Sequence, residues 1–97
     1  MKNNEWVFSD SKKTMVITTE KILTKQNDIT YVSHDEEDGM WQFLDNDIIK
    51  SEDARIVSLE EIVTIDETVF QIASLPLGKV AFRKNIKDVW AIKQLTI

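Results

Sequence analysis

The chain has no cysteine, one proline, two glycines and one histidine among its 97 residues. Without cysteine it can form neither a disulfide nor a thiolate metal site. Small secreted domains usually depend on disulfides, so a cytoplasmic location is expected. Gly39 and Gly78 are too few for a glycine-rich phosphate-binding loop. Because His34 is the single histidine, zinc would lack further nitrogen or sulfur ligands, and no metal or other cofactor is expected.

Long hydrophobic runs are also missing from the chain. No apolar stretch approaches the roughly 18 residues of a membrane span, and residues 1–6 show no signal-peptide pattern, so no membrane association is expected. Basic residues are outnumbered, since 17 Asp and Glu face 12 Lys and Arg, which gives a formal net charge of −5. This charge repels phosphate backbones at long range, so nucleic acid is not an expected partner.

Apolar residues are plentiful enough for one core. The hydrophobic fraction is 42% and the charged fraction 30%, a composition typical of a globular protein and unlike that of a disordered chain. Three Trp and four Phe add large surfaces that a core can bury. The length leaves room for one domain, which we expect to span residues 1–97.

Runs of β-branched and aromatic residues bounded by polar segments predict short strands. The predicted strands cover residues 6–8, 14–18, 29–33, 40–44, 55–57, 79–83 and 89–92, with an extended arm as the alternative for 6–8. Three hairpins are expected, pairing the first strand with the second, the third with the fourth, and the last two with each other. In 40–44, Trp41 and Phe43 point to one face and Met40 and Leu44 to the other, which favours a central position in the sheet.

Capping residues predict the helices. The first helix, 18–25, begins with two threonines, either of which can accept hydrogen bonds from free amides. Ser58 and Glu61 have the spacing of a capping box, which predicts that a second helix begins after Ser58. Asp66 is predicted to cap a third, short helix over 67–73. The order of elements predicts an α+β fold, a mostly antiparallel sheet of about five or six strands with two or three short helices on one face.

An acidic run follows His34, and it is the one place where site chemistry can be considered. It lacks both the ligand register and the closing glutamate of a calcium loop, so a solvated hairpin turn is the favoured interpretation. Ser33 and His34 are neighbours on a strand and point to opposite faces, which disfavours a Ser-His-Asp set. No catalytic residue is predicted. A small hydrolase that uses the acids around the hairpin, Asp35, Asp38, Asp45 and Asp47, is the less favoured alternative, because so small a domain has little material to wall a cleft.

The acids are also the candidate partner-binding residues. They lie on both sides of strand 40–44 and, if they converge at one end of the sheet, provide either plain solubility or a docking face for a basic protein. The candidate set is Asp35, Glu36, Glu37, Asp38, Asp45 and Asp47. The aromatic residues predicted to belong to the core rather than to a recognition surface are Trp6, Trp41, Phe43 and Trp90. The basic residues interpreted as a solvated face are Lys79, Arg83, Lys84 and Lys87.

Three segments together carry a resemblance to a known family. They are residues 29–44 with the acidic run and Trp41-Gln42-Phe43-Leu44, residues 52–62 with Ser58-Leu59-Glu60-Glu61, and Leu75-Pro76-Leu77-Gly78. Their order resembles small bacterial proteins of a domain-of-unknown-function family that is similar to immunity proteins of polymorphic toxin systems. The resemblance implies a non-enzymatic protein that neutralises a toxin by binding it. The alternative is a housekeeping or regulatory homo-oligomer that pairs through the exposed strand edge 89–92.

Overall fold

The computed structural model describes residues 5–45 and 51–94, and its main feature is a mixed sheet of six strands. The strands are β1 (Met15–Thr19), β2 (Tyr31–His34), β3 (Trp41–Leu44), β4 (Ala54–Ser58), β5 (Lys79–Phe82) and β6 (Ala91–Gln94). The helical elements are α1 (Glu20–Leu23), α2 (Leu59–Ile65), a 3-10 turn (Ser51–Asp53) and a 3-10 helix (Glu67–Ile72).

The strand order across the sheet is β4-β1-β3-β2-β5-β6. Every pairing is antiparallel except that of β1 with β3, where Ile17 lies opposite Gln42. The prediction of a mostly antiparallel α+β fold is confirmed. So is the central position of β3, which has neighbours on both sides and buries Trp41, Phe43 and Leu44.

The core lies between one face of the sheet and three short helices. The sheet contributes Val16, Val32, Trp41, Phe43 and Ala81, all at most 2% exposed. The helices contribute the buried residues Ile22 of α1, Leu59 and Ile62 of α2, and Val69 and Ile72 of the 3-10 helix. Trp6 and Trp90 pack against this cluster while remaining partly exposed. The predicted assignment to the core is therefore confirmed for Trp41 and Phe43, whereas Trp6 and Trp90 lie at its margin.

The predicted N-terminal hairpin is wrong. Residues 5–8 are not a strand, and β1 pairs with β3 and β4 instead. Phe8 is 4% exposed, its ring 5.2 Å from that of Trp41, and Trp6 lies edge-on to Phe70. Burial of these rings against the helical layer fixes this segment without a strand ladder.

The first helix begins as predicted but ends early. Thr19 caps α1 by accepting a hydrogen bond from the amide of Ile22 at 3.3 Å. Lys25 has a φ of 65°, the left-handed conformation that ends a helix, so the predicted extension to residue 25 does not form. Asp66 caps as predicted by accepting from the amide of Thr68, although the helix that follows is of the 3-10 type.

The other two predicted hairpins are present. Strand β2 pairs with β3 from Tyr31 opposite Leu44 to His34 opposite Trp41, and β5 pairs with β6. The second connection is longer than predicted, because β5 ends at Phe82 instead of residue 83 and β6 begins at Ala91 instead of residue 89. Arg83 turns into the interior, where it is 5% exposed.

Candidate functional site

The acidic residues 35–38 form the turn between β2 and β3. The Asp35 amide donates to the carbonyl of Met40 at 2.8 Å, and the Gly39 amide donates to the carbonyl of Asp35 at 2.9 Å. Gly39 has a φ of 74°, a conformation that glycine adopts without a steric penalty. The turn backbone is thus held by hydrogen bonds at both of its ends.

Two of the four acidic side chains stabilise the turn itself. Asp35 accepts a hydrogen bond from the amide nitrogen of the Gln42 side chain at 2.8 Å and from the Ser33 hydroxyl at 3.3 Å. Asp38 accepts from the backbone amide of Met40 at 2.9 Å. Ser33 and Gln42 lie directly opposite each other in the β2–β3 ladder. The signal that could have identified them is the register of the hairpin, which was not assigned from the sequence.

The other two acidic side chains are exposed and take no part in holding the turn. Glu36 and Glu37 are exposed and make no hydrogen bond or ion pair with the residues that the structure describes. Glu36 lies over Gly78: a β-carbon added to Gly78 would stand 3.2 Å from a Glu36 carboxylate oxygen. The Gly78 amide donates to the His34 carbonyl at 2.7 Å, so the loop before β5 is fixed against the base of the turn. We refer to residues 35–38 as the acidic turn.

His34 is held beside the acidic turn by stacking and by one hydrogen bond. Its ring lies 3.9 Å from the ring of Trp41, nearly parallel to it, and its Nδ1 is 2.8 Å from the carbonyl oxygen of Leu75. A carbonyl only accepts, so Nδ1 carries the proton. The hydroxyl of Ser33 bonds to Asp35 and not to His34, so these residues form no nucleophile–base pair.

Asp45 lies far from the acidic turn. It follows the last residue of β3 while the turn precedes the first, so the two are separated by the length of a four-residue strand, about 13 Å. The side-chain amide of Asn27 donates to the Asp45 carboxylate at 2.8 Å. The acids on the two sides of β3 do not converge, because they stand at opposite ends of the sheet. Asp47 lies outside the described residues.

A shallow polar cleft lies at the Asp45 end of the sheet. It encloses about 320 Å³ and is lined by Gln26, Asn27, Asp28, Thr30, Asp45, Lys84 and Asn85. Within residues 5–45 and 51–94, no group of three or more His, Asp and Glu side chains is arranged to hold a metal ion. The helices among these residues are all too short or too polar to cross a bilayer.

The predicted solvated basic face is wrong at Arg83. The guanidinium forms an ion pair with Asp66 at 2.8 Å, and the two side chains are 1% and 5% exposed. It also stacks on the ring of Trp90, 4.0 Å from the ring centroid. Lys84 and Lys87 are exposed as expected.

Comparisons of the chain with protein-family models, with curated proteins and with solved structures found no match. The feature of the described residues that bears on function is the acidic turn, in which the exposed carboxylates of Glu36 and Glu37 are not used to hold the turn.

Proposed function

We propose that the chain is a non-enzymatic protein-binding domain of immunity type, which acts in the bacterial cytoplasm and binds a basic protein through its acidic turn. The observation that carries the proposal is that the four acids of the turn have different roles. Asp35 and Asp38 hold the turn, while Glu36 and Glu37 remain exposed on it.

Order in the free protein favours binding. A surface loop that is already fixed loses less conformational entropy when a partner docks, so more of the contact energy appears as affinity. Carboxylates at the tip, on a chain of net charge −5, also accelerate encounter with a positively charged surface. The resemblance to immunity proteins supports a toxin as this partner, and occlusion of the toxin's active site as the mechanism.

The test begins with capture of the partner from the native host and titration of the purified partner at increasing salt. The double substitution Glu36→Gln and Glu37→Gln keeps the shape of the turn and removes two charges. We expect affinity to fall about tenfold, because each exposed charge pair is worth roughly 0.2–1 kcal/mol. Coexpression of the wild type is expected to protect cells from the partner, and coexpression of the variant to protect them less.

The matched control removes two exposed acids at the other end of the sheet, Asp28→Asn with Asp88→Asn. This variant has the same net charge as the turn variant and is expected to bind nearly as well as the wild type. Absence of any protein partner, or equal weakening by the two double variants, would contradict the proposal.

A second candidate function is self-association through β6. All four residues of this edge strand are exposed, and Ile92 and the preceding Val89 expose 55% and 86% of their surface. Within the described part of the chain β6 pairs only with β5, so its outer backbone groups are open to another strand.

A further inference from the structure

A groove separates the N-terminal segment from the helical layer. It encloses about 270 Å³ and is lined by Glu5, Trp6, Lys12, Glu60, Val63, Thr64, Glu67 and Phe70. This volume is close to the lower end of the range of about 300–1,000 Å³ that is usual for ligand pockets, so the groove has room for one long side chain.

The spacing of residues on the helices builds one wall. Glu60, Val63 and Thr64 of α2 follow the i, i+3, i+4 spacing that places side chains on one helical face. The 3-10 helix continues this wall with Glu67 and Phe70.

Trp6 forms the aromatic side of the groove and is fixed in place. Its indole nitrogen donates to the carbonyl of Asp10 at 2.7 Å, and its ring meets Phe70 edge-on at 5.6 Å. The ammonium of Lys12 lies 5.8 Å from the Trp6 ring centroid, within the range of a cation–π contact. The Trp6 ring, together with the exposed carboxylates of Glu60 and Glu67, makes the groove attractive to a cation.

The interior of the protein shows which cation suits such a site. There the guanidinium of Arg83 stacks on Trp90 while it pairs with the carboxylate of Asp66. The groove repeats these ingredients at the surface, with Trp6 as the ring and Glu60 and Glu67 as exposed carboxylates. Arginine stacks on aromatic rings and bonds carboxylates through a planar fork, which the compact ammonium of lysine cannot do.

We propose that this groove receives an arginine side chain of a protein partner. This proposal rests on the proposed function, which supplies the protein partner. Because β1 runs parallel to β3, the loop before β1 and the acidic turn before β3 lie at the same end of the sheet. Asp10 joins them, since its carboxylate accepts from the indole of Trp41 at 2.8 Å. The acidic turn and the segment that supplies Trp6 and Lys12 to the groove therefore share one end of the sheet.

The test uses acetyl-Gly-Arg-Gly-amide as the probe and the indole N–H signal of Trp6 in ¹⁵N NMR spectra as the readout. We expect saturable shifts at Trp6 and Phe70, and none with the neutral citrulline analogue. Glu60→Gln with Glu67→Gln should weaken binding about fivefold. Lys12→Gln should strengthen it about twofold, because the competing internal cation is removed from the ring.

Lys13→Gln is the matched control, since Lys13 is also exposed and does not line the groove. It makes the same change in net charge and is expected to alter affinity by less than about 1.5-fold at physiological salt. Equal effects of the two lysine variants, shifts centred on residues 35–38, or no arginine-dependent shift would overturn the groove proposal. The proposed function is tested separately by the Glu36 and Glu37 variant with the captured partner, so either can fail alone.

Discussion

At the scale of single residues, Arg83 is a buried cation held by hydrogen bonds on every nitrogen of its guanidinium. Its Nε and one Nη donate to the carbonyl of Ile29, and that Nη also donates to Asp66. The other Nη donates to the hydroxyl of Thr68 at 3.0 Å and to the carbonyl of Ile86 at 3.3 Å. All five N–H groups are thus used, which compensates the removal of the charge from water. The network ties the start of β2 to the 3-10 helix and the end of β5.

Replacing Arg83 with alanine is expected to lower the free energy of unfolding by roughly 3–5 kcal/mol, because Asp66 is left as an uncompensated buried charge. Urea denaturation followed by circular dichroism measures the effect. Lys84→Ala, at the exposed neighbouring position, is expected to stay within about 0.5 kcal/mol of the wild type.

The double variant Asp66→Ala with Arg83→Ala completes the cycle. It should lose less stability than the sum of the single variants, since neither charge is then buried alone. Additive losses, or a loss below about 1 kcal/mol for Arg83→Ala, would show that the pair does not hold these elements together.

At the scale of elements, α2 depends on its cap. The helix has seven residues, and isolated helices shorter than about 12 residues are marginal in water. The hydroxyl of Ser58 accepts from the Glu61 amide at 3.2 Å, and the Glu61 carboxylate accepts from the Ser58 amide at 3.3 Å. Burial of Leu59 and Ile62 supplies the rest of its stability.

Ser58→Ala is expected to lower the free energy of unfolding by about 1 kcal/mol, because the amide of Glu61 loses its acceptor. Thermal and urea denaturation report the loss. Ser74→Ala serves as the control, since Ser74 is exposed and is expected to change stability by less than about 0.5 kcal/mol. If the two variants are equally stable, the predicted capping box contributes nothing.

The elements predictable from sequence are those with local signals. The caps at Ser58 and Asp66 and the β2–β3 hairpin depend on residues close together in the chain, and all three were predicted. Two other contacts link positions that are distant in sequence, and no local sequence pattern predicts either contact. They are the ion pair of Asp66 with Arg83 and the pairing of β1 with β3. Trp6-Val7-Phe8 has strand-like composition, but its rings bury against Phe70 and Trp41, and tertiary packing overrides local preference.

At the scale of the whole molecule, the sheet topology determines which surfaces lie together. Because β1 and β3 are parallel, the acidic turn and the loop before β1 lie at the same end of the sheet. The start of α2 lies at this end too, since Ser58 is opposite Met15. The sequence supplied the acidic residues of the candidate site. The acidic turn precedes β3 and Asp45 follows it, so the strand places them at opposite ends of the sheet. The acidic run alone could not predict this separation.

The two edge strands of the sheet differ in exposure, since all four residues of β6 are exposed and only Ile56 is exposed among the five of β4. Strand β6 is therefore the edge suited to self-association. Ile92 lies beside the buried Ala81 on the helix-covered face, yet it is 55% exposed, because the helical layer does not extend over β6. A second copy pairing with β6 would cover Ile92 and Val89. Four residues form only a short ladder, so the dimer interface is expected to bury less than about 1,200 Å², as in transient complexes.

Sedimentation velocity at increasing protein concentration is therefore expected to show a weak, concentration-dependent dimer. Ile92→Lys should abolish it, because a charge replaces the apolar contact at the new interface. Ile56→Lys makes the same change on the opposite edge strand β4, where Ile56 is 67% exposed, and should leave the dimer intact. A strict monomer at the highest concentration, or equal loss of the dimer in both variants, would remove β6 as an interface and leave the acidic end of the sheet as the binding surface.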